Sequence, residues 1–224
     1  APSPAVIGTA VYATTVAVRV VDYGPDLTEG AGNDDLAWNG SAWVSTTVFA
    51  GFTGVDSYAA PNWQWTIPFN KWNVNRKYRA ISRASHEVNG TVEAAGTGRE
   101  FVVDSTAPSA GITMPDRSYM LSLPALSGTV TDVAPGVITS VYFQVKRQSA
   151  PEYWNWKTST FTALSADSRL AATMAGSVAS YTTSYFSAGL AFEPDHSYSV
   201  ELYAYDKAGN LGSAAAFPFT IDIS

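Results

Sequence analysis

The sequence contains no cysteine, and only 2 of its 224 residues are histidines. The lack of thiols excludes disulfide bonds, thiolate metal sites and thiol catalysis together. Hydrolysis by a triad would need a nucleophile, a base and an orienting acid in one fold. His86 and His196 stand at equivalent places in the two halves of the chain, so one domain cannot supply both. The sequence therefore indicates a protein that is not an enzyme.

Charge is scarce as well. Charged residues make up 14% of the chain, below the roughly 25% of an average soluble protein. With 13 basic and 19 acidic residues the net charge is -6, and no Lys or Arg cluster offers a surface that neutralises phosphates. Nucleic acid is therefore excluded as a partner.

Long apolar runs are also missing. No run approaches the roughly 20 residues that span a bilayer, so we expect no membrane insertion. The N-terminus lacks the basic and apolar regions of a signal peptide. We therefore expect a mature piece or an excised segment of a longer protein.

Aromatic and small polar residues are abundant instead. The 7 Trp, 12 Tyr and 10 Phe suit β-strands, because aromatic side chains pack well on a pleated, half-buried surface. The length of 224 residues exceeds the roughly 100–150 of a usual domain, which favours two domains. Short alternating runs predict strands at 16–21, 63–69, 78–84, 100–103, 138–146, 181–186, 197–205 and 217–223.

Three local patterns add detail. Asn39-Gly40 and Asn89-Gly90 are hairpin-turn signals, since both residue types tolerate positive φ. Alternation along 197–205 predicts that one face of this strand lies in the core: Tyr198, Val200, Leu202 and Ala204. The segment 161–176, which contains Ala, Leu and Met, predicts either one helical turn or a long loop.

The two halves of the chain repeat each other. Gly8-Thr9 matches Gly128-Thr129, and Tyr78 matches Tyr198. Residues 38–43 match 154–156, and residues 101–104 match 219–222. Polar residues and a proline at 104–109 form a short connector, because proline cannot extend a β-ladder. We therefore predict two domains, 1–106 and 107–224. Residues 1–3 repeat the end of the connector, which leads us to expect a further repeat before residue 1.

Three segments near the ends of the halves form a recognisable series: Tyr198-Ser-Val-Glu-Leu-Tyr-Ala-Tyr-Asp206-Lys-Ala-Gly209-Asn210, Phe219-Thr-Ile-Asp222 and Asp104-Ser-Thr-Ala-Pro108. This series resembles the ending of bacterial immunoglobulin-like repeats in large surface proteins. Those repeats typically finish with a Tyr-led strand, an Asp-x-Ala-Gly-Asn turn, a Phe-x-Val-Asp strand and a Thr-Ala-Pro linker. The hairpin at 38–43 and Trp63-Gln-Trp65 are similar to the middle of such repeats, while 85–90 departs from the turn motif.

The resemblance implies a fold and a location. The implied fold is all-β, with two tandem immunoglobulin-like (fibronectin III-like) β-sandwich domains. The implied location is the cell surface or the extracellular space. The resemblance implies no reaction.

An acidic stretch in the first half is the best metal candidate. Its carboxylates are Asp22, Asp26, Glu29, Asp34 and Asp35, with Asn33 among them. Calcium takes six to eight oxygen ligands, which a flexible loop of carboxylates and glycine carbonyls can provide. The EF-hand spacing is absent, because no Asp-x-Asp-x-Asp-Gly run occurs. A solvated acidic loop is the alternative.

Three tryptophans near turns, Trp38, Trp43 and Trp72, are candidates for ligand binding. Exposed aromatic faces stack on pyranose rings in carbohydrate-binding sandwiches. The alternative for these residues is packing in the core or across a hairpin. Trp63 and Trp65 stand two apart on an alternating strand and share a face, which predicts core positions for both.

These observations predict a non-catalytic extracellular structural or adhesion module, which forms stalk or spacer repeats of a larger bacterial surface protein. Its expected partners are neighbouring repeats of the same parent chain, with a host or matrix protein or a glycan as a further partner. Calcium is the one cofactor that the residues suggest. The alternative function is a carbohydrate-binding module of a secreted protein that uses exposed Trp or Tyr.

Overall fold

A computed structural model describes residues 5–11, 13–86, 91–150, 152–177, 180–186, 192–212 and 216–223. The chain divides into two compact units, Ala1–Asp104 and Ser105–Ser224, which we call unit 1 and unit 2. The predicted domain boundary after Thr106 lies two residues beyond this division. The predicted turn at Asn89-Gly90 and the motif at 1–3 lie outside the described residues.

Unit 1, in its described part, consists of nine strands and one 3₁₀ turn, Phe69–Lys71. The strands are β1 (Ala5–Thr9), β2 (Ala13–Asp22), β3 (Leu36–Trp38), β4 (Trp43–Ser45), β5 (Thr53–Gly54), β6 (Ser57–Ala59), β7 (Asn62–Thr66), β8 (Arg76–His86) and β9 (Arg99–Val103). One sheet has the order β1-β7-β6. The other has the order β4-β3-β2-β8-β9, with β5 paired to β2.

Unit 2 contains twelve described strands and one 3₁₀ turn, Ala166–Ser168. The strands are β10 (Ser109–Met114), β11 (Tyr119–Met120), β12 (Ala125–Thr131), β13 (Ile138–Arg147), β14 (Glu152–Asn155), β15 (Thr160–Thr162), β16 (Leu170–Ala171), β17 (Thr173–Ser177), β18 (Ser180–Phe186), β19 (His196–Asp206), β20 (Leu211–Gly212) and β21 (Phe217–Ile221). One sheet has the order β10-β12-β18-β17. The other has the order β11-β21-β19-β13-β14-β15, with β16 on β13 and β20 on β19.

Each unit closes around one apolar core that both of its sheets supply. In unit 1, Val18 of β2 belongs to the same buried cluster as Trp63 and Trp65 of β7. In unit 2, Phe143 of β13 and Leu126 of β12 share a second cluster. Two sheets stacked over a common core form a β-sandwich. The predicted all-β fold of two sandwiches is therefore confirmed.

Tyr78 on β8 and Tyr198 on β19 occupy the same place in the two units. The Tyr78 hydroxyl donates a hydrogen bond to the Asn73 carbonyl at 2.7 Å. The Tyr198 hydroxyl accepts one from the Glu193 amide at 2.9 Å and donates to the Glu193 carbonyl at 3.4 Å. Each bond returns to the backbone five residues upstream. Such a tyrosine corner is a hallmark of immunoglobulin-like sandwiches, which supports the predicted fold type.

Three aromatic rings surround each of these tyrosines. Their centroids lie 4.7 to 5.7 Å from the tyrosine ring: Trp43, Trp72 and Phe101 in unit 1, and Phe161, Phe192 and Phe219 in unit 2. The two units also share a hairpin, because Trp38 pairs with Trp43 and Trp154 pairs with Phe161. The repeat visible in the sequence is thus a repeat of the core.

The segment 161–176 contains one helical turn, as one of the two predictions stated, together with short strands. Its helical part is the 3₁₀ turn Ala166–Ser168, which begins with a capping box between Ser165 and Ser168. After the turn, β16 pairs with β13 and β17 pairs with β18. The predicted long loop is wrong, because strands occupy half of this segment and the 3₁₀ turn lies between them.

Candidate functional site

The acidic loop, residues 23–35, connects β2 to β3 in unit 1. Asp22, the last residue of β2, stands opposite Tyr78 in the register. Arg147, the last residue of β13, stands opposite Tyr198 in the same way, and only residues 148–151 separate it from β14. The acidic loop is therefore an extension that distinguishes unit 1 from unit 2.

Asp22 is completely buried at the base of the acidic loop. Its carboxylate accepts hydrogen bonds from the Gly24 amide at 3.0 Å and the Asn73 side chain at 2.8 Å, with the Arg76 guanidinium 4.0 Å away. Burial raises the pKa of the Asp22 carboxyl above its ordinary value of 3.8, while these partners act in the opposite direction. Asp22 is already satisfied and anchors the loop.

Glu29 and Asp26 are more exposed and also have partners. The Glu29 carboxylate forms an ion pair with Arg79 of β8. Asp26 accepts a hydrogen bond from the Thr28 amide at 2.9 Å through Oδ1. Its second oxygen, Oδ2, faces Gly32.

Asp34 and Asp35 differ from the other carboxylates, because each has a buried oxygen without a hydrogen-bond partner in the described part of the chain. Asp35 is 6% exposed, and its Oδ2 accepts from the Gly30 amide at 2.7 Å, which directs the carboxylate into the loop. Asp34 Oδ1 and Asp26 Oδ2 both lie close to Gly32, where a Cβ would stand 2.9 Å from each. The structure thus gathers Asp26, Asp34 and Asp35 around residues 30–32 and pairs Asp22 and Glu29 with arginines.

The three candidate tryptophans lie in the core of unit 1 or against it. Trp38 and Trp72 are each 5% exposed, and Trp43 is half-buried. The Trp43 ring lies 5.5 Å from Trp38, 5.8 Å from Trp72 and 5.4 Å from Tyr78. The Trp72 indole nitrogen donates to the Ile67 carbonyl at 3.1 Å. Trp38 and Trp72 therefore lie in the core, and the half-buried Trp43 ring packs against Trp38, Trp72 and Tyr78.

The two histidines lie in different units. His86 is the exposed last residue of β8. His196 is the first residue of β19, and its Nδ1 lies 2.9 Å from the Pro194 carbonyl oxygen and its Nε2 3.4 Å from Glu193. Each unit therefore contains one histidine, His86 in unit 1 and His196 in unit 2.

The outer face of the larger sheet in unit 2 carries a group of tyrosines. Tyr142 of β13 pairs with Tyr203 of β19, and the ring centroids of Tyr142 and Tyr205 lie 6.3 Å apart. Tyr142, Tyr205 and Arg169 line a shallow recess of about 500 Å³. Burial, followed by a hydrogen bond to Glu201, raises the pKa of the Tyr203 hydroxyl. Alternation along β19 was the available signal for this face, because Tyr203 and Tyr205 alternate with the core residues.

In the ranges that the structure describes, no helix is long and apolar enough to cross a membrane. No protein-family model matches the sequence, and no curated protein matches it.

Several solved structures resemble the chain. One is a tetra-tandem repeat in the extending region of a large adhesion protein, with a TM-score of 0.38 and 20% identity over 98% of this chain and 46% of that chain. Another is a 1.5-MDa bacterial ice-binding adhesin, with a TM-score of 0.38 and 12% identity over 99% of this chain and 58% of that chain. A third comprises the FN1-FN3 domains of chicken CNTN1, with a TM-score of 0.35 and 11% identity over 94% of this chain and 55% of that chain.

The chain spans about half the length of each of these structures. Two of them come from large adhesins. The third consists of FN domains.

Proposed function

We propose that the chain is a non-catalytic extracellular module, in which the two units serve as stalk or spacer repeats of a larger bacterial surface or adhesion protein. The use of aromatic residues supports this function. Most of the tryptophans and one central tyrosine per unit lie in the two cores. A chain built for stability and length needs such cores and no reactive site.

The observation that carries the proposal is the pairing of β11, near the start of unit 2, with β21, its last strand. β11 runs parallel to β21. The Thr220 amide donates to the Ser118 carbonyl at 2.7 Å, and the Asp222 amide donates to the Met120 carbonyl at 2.9 Å. When the chain is stretched from its two ends, parallel neighbours are pulled in opposite directions along their length. Both bonds then bear the force together, as a spacer under tension requires.

Single-molecule extension of the 224-residue chain tests this function. We expect one unfolding event for each unit. The variant Asp222→Pro removes the amide that donates to Met120 and lowers the unfolding force of unit 2, whereas the matched control Asp222→Ala keeps the amide and the force. Equal forces in the two variants, or extension without resistance, would contradict the proposal.

A second candidate function is glycan binding at the tyrosine face of unit 2. The observation that favours it is the recess between Tyr142 and Tyr205, where half-buried aromatic rings stand beside the Arg169 guanidinium. Aromatic faces with nearby polar groups suit a sugar ring. This surface differs from the tryptophan platform that the sequence suggested.

Titration calorimetry with a panel of soluble polysaccharides tests the second function. If a polysaccharide binds at this face, Tyr142→Ala and Tyr205→Ala abolish the binding heat. Tyr119→Ala serves as the control, because Tyr119 is 69% exposed and lies outside the recess. No binding heat with the unmodified chain, or heat that survives in both recess variants, would remove this function.

A further inference from the structure

We propose that the acidic loop of unit 1 binds one calcium ion through the carboxylates of Asp26, Asp34 and Asp35. The proposal goes beyond the spacer function, because a β-sandwich with a closed apolar core requires no metal. It also narrows the predicted ligand set from five carboxylates to three.

The first observation is the buried carboxylate of Asp35. Its side chain lies in the loop interior, because the residue is 6% exposed and Oδ2 accepts from the Gly30 amide. Oδ1 is buried and has no hydrogen-bond partner in the described part of the chain. A buried, ionised oxygen without a donor is unfavourable unless a cation or another donor satisfies it. A cation in the loop would supply that partner.

The second observation is the position of Asp34 beside Asp26. Asp34 Oδ1 is buried and has no hydrogen-bond partner in the described part of the chain. Asp34 Oδ1 and Asp26 Oδ2 both lie 2.9 Å from the point where a Cβ would stand on Gly32, so they are at most twice that distance apart. Two carboxylates held this close repel each other unless a positive charge stands between them.

The third observation is that the two arginines that form ion pairs with this stretch do so with Glu29 and Asp22. Arg79 pairs with Glu29, and Arg76 is the cation nearest to Asp22. In the described part of the chain, Asp26, Asp34 and Asp35 form no ion pair with a protein cation, and a bound metal ion would supply positive charge beside them.

The chemistry of the donors favours calcium. All available ligands are oxygens, which suits a hard divalent cation. The oxygens of Asp26, Asp34 and Asp35 do not all lie within 4.8 Å of one another. Calcium accepts irregular coordination by six to eight oxygens, whereas magnesium demands near-octahedral geometry at about 2.1 Å. Binding would draw the three side chains together, and backbone carbonyls and water would complete the shell.

Calorimetric titration of the chelator-treated chain with calcium chloride tests the site. We expect one site, weakened about tenfold or more by Asp34→Asn and by Asp35→Asn, because each variant removes one ligand charge. The control Asp116→Asn makes the same change at an exposed residue of unit 2, outside the loop, and leaves the affinity unaltered. No binding heat, or unchanged affinity in both loop variants, would overturn the proposal.

Thermal unfolding separates a ligand role from a structural one. Without calcium, Asp34→Asn unfolds at the same temperature as the unmodified chain or higher, because one of two facing charges is gone. With saturating calcium, the unmodified chain gains stability and the variant does not, since an ion that binds only the folded state raises its melting temperature. A variant that is less stable by the same amount in both conditions would contradict the proposal, as would an equal response to magnesium.

Discussion

Each unit buries a core that is centred on a tyrosine, but the charged residue opposite this tyrosine has the opposite sign in the two units. Asp22 stands opposite Tyr78, and its equivalent opposite Tyr198 is Arg147. The carboxylate is held by the Gly24 amide and the Asn73 side chain, whereas the guanidinium lies 2.9 Å from Glu193 and 3.6 Å from Glu152. The rings and the tyrosine corner are thus the shared elements, and a charge of either sign is accommodated when local partners satisfy it.

The units also differ in strand pairing. Unit 2 contains the parallel pair β11 and β21, while every pairing in the described part of unit 1 is antiparallel. Unit 1 contains the acidic loop instead. The repeat has kept its core and changed its connections, so the properties that distinguish the units lie outside the core.

Removing the central tyrosine of either unit should have the largest effect. We expect Tyr78→Ala and Tyr198→Ala each to lower the free energy of unfolding of their own unit by about 3–5 kcal/mol, because a large buried ring leaves a cavity. Calorimetric unfolding should show one of two transitions displaced. If either variant displaces both transitions equally, the units do not have separate cores.

Removing only the hydroxyl sharpens the comparison. Tyr78→Phe leaves the Asn73 carbonyl without its donor, and we expect a loss of about 1 kcal/mol. Tyr198→Phe leaves both backbone groups of Glu193 unpaired and should remove about 1–2 kcal/mol. Urea denaturation measures both values, and a larger loss for Tyr78→Phe would contradict this ranking.

The hairpin asparagines provide a third comparison. Asn39 Oδ1 accepts from the Ser41 and Ala42 amides, and Asn155 Oδ1 accepts from the Lys157 and Thr158 amides, all at 2.9–3.0 Å. Asn155 is 8% exposed, whereas Asn39 is exposed, so water can replace the lost bonds only at Asn39. We expect Asn155→Ala to destabilise unit 2 by about 1–2 kcal/mol and Asn39→Ala to destabilise unit 1 by about 0.5 kcal/mol. Equal losses in thermal unfolding would show that burial does not set the difference.

Asp22 should give the smallest effect, visible as a pH dependence. Burial raises the pKa of the Asp22 carboxyl in the folded unit. The protonated carboxyl therefore makes its whole contribution to the free energy of unfolding below about pH 3.8, and this contribution is lost as the pH rises through the pKa of the folded unit. In the presence of chelator, the stability of the unmodified chain relative to Asp22→Asn should therefore decrease from acidic to neutral pH. A difference that increases over this range would mean that the partners of Asp22 outweigh its burial.

Most of the fold could be predicted from the sequence, because long alternating strands carry a strong signal. The strands that contain Tyr78 and Tyr198 were predicted correctly, and so was the inward face of β19. The predicted strand 63–69 ends early, since β7 stops at Thr66 and Pro68 precedes the 3₁₀ turn. The residue at which a strand ends depends on its pairing with neighbouring strands. This pairing cannot be read from a single sequence.

Weakly patterned strands were missed. β1 and β12 are rich in small and polar residues, and each contains the Gly-Thr pair that marked the repeat. Gly8 is compatible with a strand because the Trp63 indole lies against it, where a Cβ would overlap the ring. This close approach depends on a residue far away in the sequence.

The candidate sites could be predicted only in part. The acidic loop was identified from its composition, yet the division between carboxylates that pair with an arginine and those that do not depends on Arg76 and Arg79 of β8. The tryptophans near turns have turn-like neighbours in the sequence, but Trp43 and Trp72 pack on Tyr78, and Trp38 packs on Trp43. Their proximity to a turn therefore carried no information on exposure.

The claim that the chain consists of two complete sandwiches is tested most directly by producing residues 1–104 and 105–224 separately and recording their thermal unfolding. We predict that each piece unfolds cooperatively and that the two curves together reproduce the two transitions of the whole chain. A piece without a cooperative transition would contradict the account, because its core would then depend on the other unit.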